Sequence, residues 1–226
     1  SGTGKSASMR NCTADRFSIV NVSKKPLPFK SDIRMLNTDD YMKITAALKS
    51  VKTPSIVIDD SQYLMVNAFM RRSLEKGYDK YNEMANAHWR LIQTALNDTP
   101  DGTIVYFMSH IERDQVGNEK AKTIGRMIDQ YVTLEGLFTI VLKTHVKDGK
   151  YTFITHNSGF DTVKTPLGMF SENEIDNDLL MVDDVIREYY GMGEKQTVEI
   201  AERLRNGENI KDKRDIRGTC YVCDVT

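Results

Sequence analysis

The sequence predicts an α/β domain whose sheet has parallel strands in the middle and an antiparallel hairpin at one edge. Three observations predict it. Ile56-Val57-Ile58 and Thr103–Ser109 are unbroken runs of β-favouring residues, as expected for strands buried on both faces of a parallel sheet. Each run leads into polar residues, Asp59-Asp60 and Ser109-His110-Ile111-Glu112, at the strand ends where open α/β sheets bind ligands. Lys147-Asp148-Gly149-Lys150, between the strand-like runs Leu137–Leu142 and Tyr151–Thr155, is a hairpin signal.

In chain order, Gly4 to about Thr13 is predicted as a helix and Phe17–Val22 as a strand. Lys24-Lys25-Pro26-Leu27-Pro28 breaks structure into a loop. Thr38-Asp39-Asp40 supplies a helix cap, followed by Tyr41, Ile44, Ala47 and Leu48 at helical spacing. Gln62 to Met70 reads as a short helix, and Arg71 to Gly77 breaks it. Tyr81, Met84, Ala85, His88, Leu91, Ile92 and Ala95 form a helical stripe in which His88 is expected to pack rather than ligate. Arg113 to Gly125 lacks apolar periodicity and is expected to be a mobile loop. Asn157 to Ser171 reads as loop. Asp176 to Tyr190 is an amphipathic helix with acidic residues at its start, stopped at Gly191. Glu194 to Leu204 fits a further helix, and Asn206 to Arg217 is weakly structured. Residues 1–191 are thus expected to form the core, and 192–226 an appendage that is weakly structured or a short helix.

With 226 residues, 40% hydrophobic and 28% charged, the chain has the composition of a globular domain. A net charge of −1 provides no global field toward nucleic acid, so any such binding must come from local basic loops. No apolar run approaches a membrane span, and no signal peptide is visible. Three cysteines point to a reducing compartment without a disulfide framework. Cys220 and Cys223 form a lone C-x-x-C without two further ligands nearby, read as structurally incidental.

The chemistry-bearing stretch is Ser1-Gly2-Thr3-Gly4-Lys5-Ser6, which matches the end of the phosphate-loop pattern G-x-x-x-x-G-K-[ST]. Gly4 permits close backbone approach, Lys5 can reach phosphates, and the Ser6 hydroxyl can ligate Mg²⁺. The first glycine of the pattern would precede Ser1, so the chain is expected to start inside the motif without the strand that feeds the loop. A Ser/Gly-rich start followed by a chance GKS is the alternative. Asp59 fits a metal-holding carboxylate, and Asp60 is expected to lie near the attacking water. The rival reading of that pair is an acidic turn after a core strand.

Together, SGTGKS at 1–6, SIVIDDSQYLM at 55–65, YFMSHIE at 106–112 and TLEGLFTIVLKT at 133–144 resemble a RecA-like P-loop NTPase core. The closer similarity is to compact phage-encoded ATP-binding proteins of the single-strand annealing and recombination type, over about residues 1 to 190. The resemblance implies a mostly parallel central sheet with helices on both faces, and ATP and Mg²⁺ as cofactors, with Ser1, Gly2, Thr3, Gly4, Lys5, Ser6 and Ala7 holding ATP. It places Ser6 and Asp59 on the metal and Lys5, Asp60, His110 and Glu112 in catalysis, His110 as the γ-phosphate sensor. It also implies single-stranded DNA on two basic loops, through Arg71, Arg72, Lys76, Arg113, Lys120 and Lys122. A ring or filament of copies, a phage single-strand binding protein as partner and the cytoplasm of a bacterial host complete the expectation. No Glu follows the Phe17–Val22 strand where larger RecA-type enzymes keep one. Lys122, Arg126 and Lys143 are candidates to reach a neighbour's ATP. A kinase of a small acceptor and a non-hydrolysing ATP-dependent interaction module are the alternatives.

Overall fold

A computed structural model describes residues 2–122, 133–192 and 218–225. Ser1, Arg126, the end of the 113–125 loop and the expected helix 194–204 lie outside the described residues.

Among the described residues nine strands form one mixed sheet: β1 (Phe17–Asn21), β2 (Arg34–Asn37), β3 (Ser55–Asp59), β4 (Ile104–Arg113), β5 (Glu119–Ala121), β6 (Ile140–Lys147), β7 (Lys150–Ile154), β8 (Glu174–Asp176) and β9 (Gly218–Val225). The order is β2-β1-β3-β4-β9-β6-β7-β8, with β5 paired to β4. From β2 to β6 every neighbouring pair is parallel. β7 and β8 add antiparallel strands at one side. The β6–β7 turn has Asp148 and Gly149 both at positive φ, 52° and 74°, the primed geometry that matches strand twist.

Among the described residues four α-helices cover the sheet: α1 (Tyr41–Lys49), α2 (Gln62–Arg71), α3 (Asp79–Asn97) and α4 (Leu179–Tyr190). Alternation along each central strand divides its side chains between two cores. Val20, Ile56, Ile58, Val105 and Phe107 pack with Ile44 and Leu48 of α1, Leu64 and Met65 of α2, and Leu91, Ile92 and Ala95 of α3. On the other face Phe17, Ile19, Val57, Tyr106 and Met108 pack with Leu179, Val182 and Ile186 of α4. α1 starts where the Asp40 carboxylate accepts the Met42 amide at 2.8 Å, and α4 ends at Gly191, whose φ of 64° turns the chain out of the helix.

The RecA-like core implied by the resemblance needs correcting on two structural points. The residues after Lys5 form a six-residue 3₁₀ helix, Ser6–Asn11, not an α-helix running to Thr13. The sheet position between β4 and β6 is filled by β9, from the carboxyl-terminal stretch expected to be weakly structured or helical. β9 delivers Cys220 and Val222 to the interior, fully buried. The expected 113–125 loop is also different where it is described: β4 continues to Arg113 and folds back through β5.

Candidate functional site

Asn21 and Asp59, the last residues of β1 and β3, and His110 in the carboxyl-terminal half of β4 line a cleft of about 620 Å³. Parallel strands align these ends: Asn21 pairs in register with Asp59, and Ile58 with Phe107, three residues before His110. Asp60 leaves β3 at φ 57°, a left-handed conformation that Asp tolerates better than most side chains. The Ser61 amide and hydroxyl then donate to the Met108 carbonyl at 2.8 and 3.0 Å, tying the turn to β4.

Lys5 is the central cation. Its Nζ donates to Asp60 Oδ1 at 2.6 Å and stands 3.5 Å from Asp59 Oδ1, with only 5% of the side chain exposed. The Ser6 hydroxyl donates to Asp59 Oδ2 at 2.9 Å. His110 Nε2 lies 3.7 Å from Asp60 Oδ1, and the His110 ring meets Tyr63 edge-on. Lys25 Nζ is 3.9 Å from Asp60 Oδ2 and 5.3 Å over the Tyr63 ring. The two carboxylates diverge in acidity. Burial raises Asp59, with Asp60 adding to the effect, against the opposing charge of Lys5. Burial also acts to raise Asp60, but the charge and hydrogen bond of Lys5, the Ser23 hydroxyl and His110 outweigh it and hold Asp60 low.

The loop residues Gly2, Gly4, Lys5, Ser6 and Ala7 line one side of the cleft, and Pro26, Leu27, Tyr63 and Val66 give it an apolar wall. Thr3 points instead to β6, its hydroxyl 2.8 Å from that of Thr144. Gly4 is held at φ +94°, and a Cβ there would stand 2.8 Å from the Tyr151 ring and 2.9 Å from Asn177 Oδ1, so a larger residue would strain the backbone and displace these side chains. Of the expected catalytic residues, the fold brings together Lys5, Asp60 and His110. Glu112 is directed to Lys120 on β5, 3.2 Å away, outside the cleft lining. Sequence reasoning did not single out Gln62, Tyr63, Lys25 or Tyr151 for the site, since they reach the cleft only through the way loops and α2 fold over the sheet edge.

The residues expected to meet DNA are largely ion-paired within the chain. Arg71 bonds Asp39 at 2.7 Å, Arg72 meets Glu75 and Glu83, Arg113 meets Glu119, and Lys120 meets Glu112. Lys80 is buried, donating to the Arg72 and Glu75 carbonyls. Lys76 is exposed, and Lys122 lines the cleft. Lys143 is held by Glu119 at 2.8 Å and Asp161 at 3.4 Å. These pairings consume most of the charge that phosphate binding would require.

Comparison with known proteins identifies a different relationship from the one the motifs imply. A family model described as Radical SAM N-terminal matches residues 170–226. A UPF0313 protein of Methanosarcina mazei is 61% identical over 36 residues, 16% of this chain and 6% of that protein. One from Methanocella arvoryzae is 62% identical over 32 residues, 14% of this chain and 5% of its own length. One from Methanosarcina acetivorans is 58% identical over 36 residues, again 16% and 5%. The chain thus spans about a twentieth of the length of the curated relatives it matches. No solved structure matches. These findings correct the resemblance to phage RecA-like ATPases. They remove ATP hydrolysis with its ATP and Mg²⁺ cofactors, and the kinase and ATP-dependent module with it. Single-stranded DNA, a ring or filament of copies and a phage single-strand binding protein go as partners, and the relatives are archaeal where a bacterial host was expected. Among the described residues no helix is long and apolar enough to cross a membrane, and no three His, Cys, Asp or Glu are grouped to hold a metal ion.

Proposed function

We propose that this chain is a small-molecule-binding α/β domain that works with a radical-SAM-type protein, and that its cleft takes an anion with an apolar body. The observation that carries the reading is the cleft itself, at the carboxyl ends of β1, β3 and β4. Lys5, Lys25 and Lys122 line the cleft with two carboxylates, Asp59 and Asp60, so cationic side chains outnumber anionic ones there. Tyr63, Leu27 and Val66 offer apolar surface beside that charge.

The link to radical-SAM chemistry rests on the Radical SAM N-terminal match, which takes in β8, α4 and β9. The described cysteines do not fit an iron–sulfur cluster. Cys12 and Cys220 lie in the apolar core, and burial pushes both thiols up, against the thiolate that a cluster needs. No step through such a cluster is therefore assigned to these residues. The buried, unbridged thiols support a reducing, cytoplasmic setting.

Titration calorimetry with benzoate and with inorganic phosphate tests the cleft. At least one is expected to bind saturably, and Lys25→Ala and Lys122→Ala, both at the rim, to weaken it about threefold each without moving Tm. Lys5→Met is expected to weaken it at least about tenfold, with a loss of stability, because it strips the buried carboxylates of their cation. No saturable binding of either anion to the wild-type chain would overturn the reading.

A further inference from the structure

We propose that Gln62 is a recognition residue of the cleft, reading an amide group that the bound anion carries beside its charged end. The inference rests on the anion-binding reading above. Gln62 opens α2, lines the cleft and is only 4% exposed. Its Oε1 and Nε2 are both buried, and neither has a hydrogen-bond partner among the described residues. A buried amide that neither donates nor accepts opposes folding, and folded proteins seldom keep one without a use.

No local role accounts for it. The side chain does not cap α2, and the turn before the helix is fastened by Ser61 to Met108 instead. A Leu or Met would fill similar space without the desolvated polar atoms. The position matters too: Gln62 follows Asp60 by two residues and shares the cleft with Lys5, Tyr63 and Val66. A ligand whose anionic end reaches the lysines and whose body lies on Tyr63 brings a neighbouring group to Gln62. A carboxylate would satisfy only Nε2 and a hydrocarbon neither atom. An amide offers a carbonyl to Nε2 and an N–H to Oε1 on one edge, and so satisfies both. Asn177 has a second unpartnered amide, but it lies behind Gly4 outside the cleft lining and takes no part in the assignment.

The test uses two probes of closely similar shape, 4-carbamoylbenzoate and 4-isopropenylbenzoate, titrated into the wild-type chain and into Gln62→Leu and Gln62→Met. The wild type is expected to prefer the carbamoyl probe about tenfold. Both variants are expected to lose that preference and to melt no lower than the wild type. Equal affinities in the wild type, or a preference that survives both substitutions, would overturn the assignment while leaving the anion site standing. So would a fall in Tm in both variants, which marks the amide as structural. If neither probe nor benzoate binds, the anion reading itself fails and takes the assignment with it.

Discussion

His88 shows how one side chain in this fold converts burial into pH dependence. It sits in the apolar stripe of α3, 4% exposed, with Nδ1 3.3 Å from the Tyr41 hydroxyl. Burial lowers its pKa from 6.5 to about 4, so the folded state keeps the ring neutral where the unfolded chain would protonate it. Between those values the unfolded state binds more protons, so stability rises with pH. The contribution is complete above the unfolded pKa and is lost as pH falls toward 4, a total of about 3 kcal/mol. Urea unfolding at pH 7 and pH 4.5 should show this loss, and His88→Leu should flatten it after the carboxylate background is subtracted. An unchanged slope in the variant would place the acid sensitivity elsewhere. The sequence exposed His88 as a packing residue because its neighbours recur at helical spacing. Asp59, Asp60 and His110 carried a local mark as polar residues at the ends of buried strand runs, and Lys5 and Ser6 as part of a glycine-containing motif, so their placement in one cleft drew on residues visible without tertiary information. Gln62 had no such local mark, since its significance lies in what its amide fails to touch.

Elements were legible where their burial followed a local period. β3, α3 and the β6–β7 hairpin each carry such a pattern. β2 does not: all four residues of Arg34–Asn37 are exposed at the sheet edge, so no alternation reveals them. The grip of α4 on the sheet was also hidden, because it depends on a charge inside an apolar face. Asp183 is fully buried and accepts hydrogen bonds from Tyr106 Oη at 2.8 Å, Arg187 Nε at 2.8 Å, and both Arg16 and Ser55. Arg187 extends the network to the Pro54 and Gly102 carbonyls, so α4 is tied to the chain ahead of β3 and β4. Asp183→Ala leaves Arg187 and the Tyr106 hydroxyl without their shared acceptor and is expected to cost about 3 kcal/mol. Guanidinium denaturation monitored by far-UV circular dichroism measures it. A cost below about 1 kcal/mol would show that the network orients α4 without holding it.

At the scale of the whole molecule, the order of the sheet differs most from the order of the chain. β9 comes last in sequence yet stands in the middle of the sheet, hydrogen-bonded in parallel to β4 along eight residue pairs and to β6 along five. Nothing local announces this, because its partners lie far away in sequence and its two cysteines invite a metal reading instead. Where it is described, the segment similar to Radical SAM N-terminal supplies the edge strand β8, the covering helix α4 and the central strand β9. β9 also bears on the cleft. Its Asp224 pairs in register with Thr144 of β6, whose hydroxyl meets Thr3 in the loop that carries Gly4 and Lys5. Without β9, β4 and β6 become two unpaired edges about 10 Å apart, the span of two strand spacings, and the two halves of the sheet lose their connection. Deleting residues 218–226 is therefore expected to abolish the cooperative thermal transition, not merely to lower its midpoint. Val222→Ala, which only trims the buried face of β9, is expected to retain the transition with a loss of about 1–3 kcal/mol and to leave anion binding in the cleft intact. Calorimetric scans of the two variants separate these outcomes. A truncated chain that still melts cooperatively and binds benzoate or phosphate would show that β4 and β6 can close on each other, and that β9 is an accessory strand.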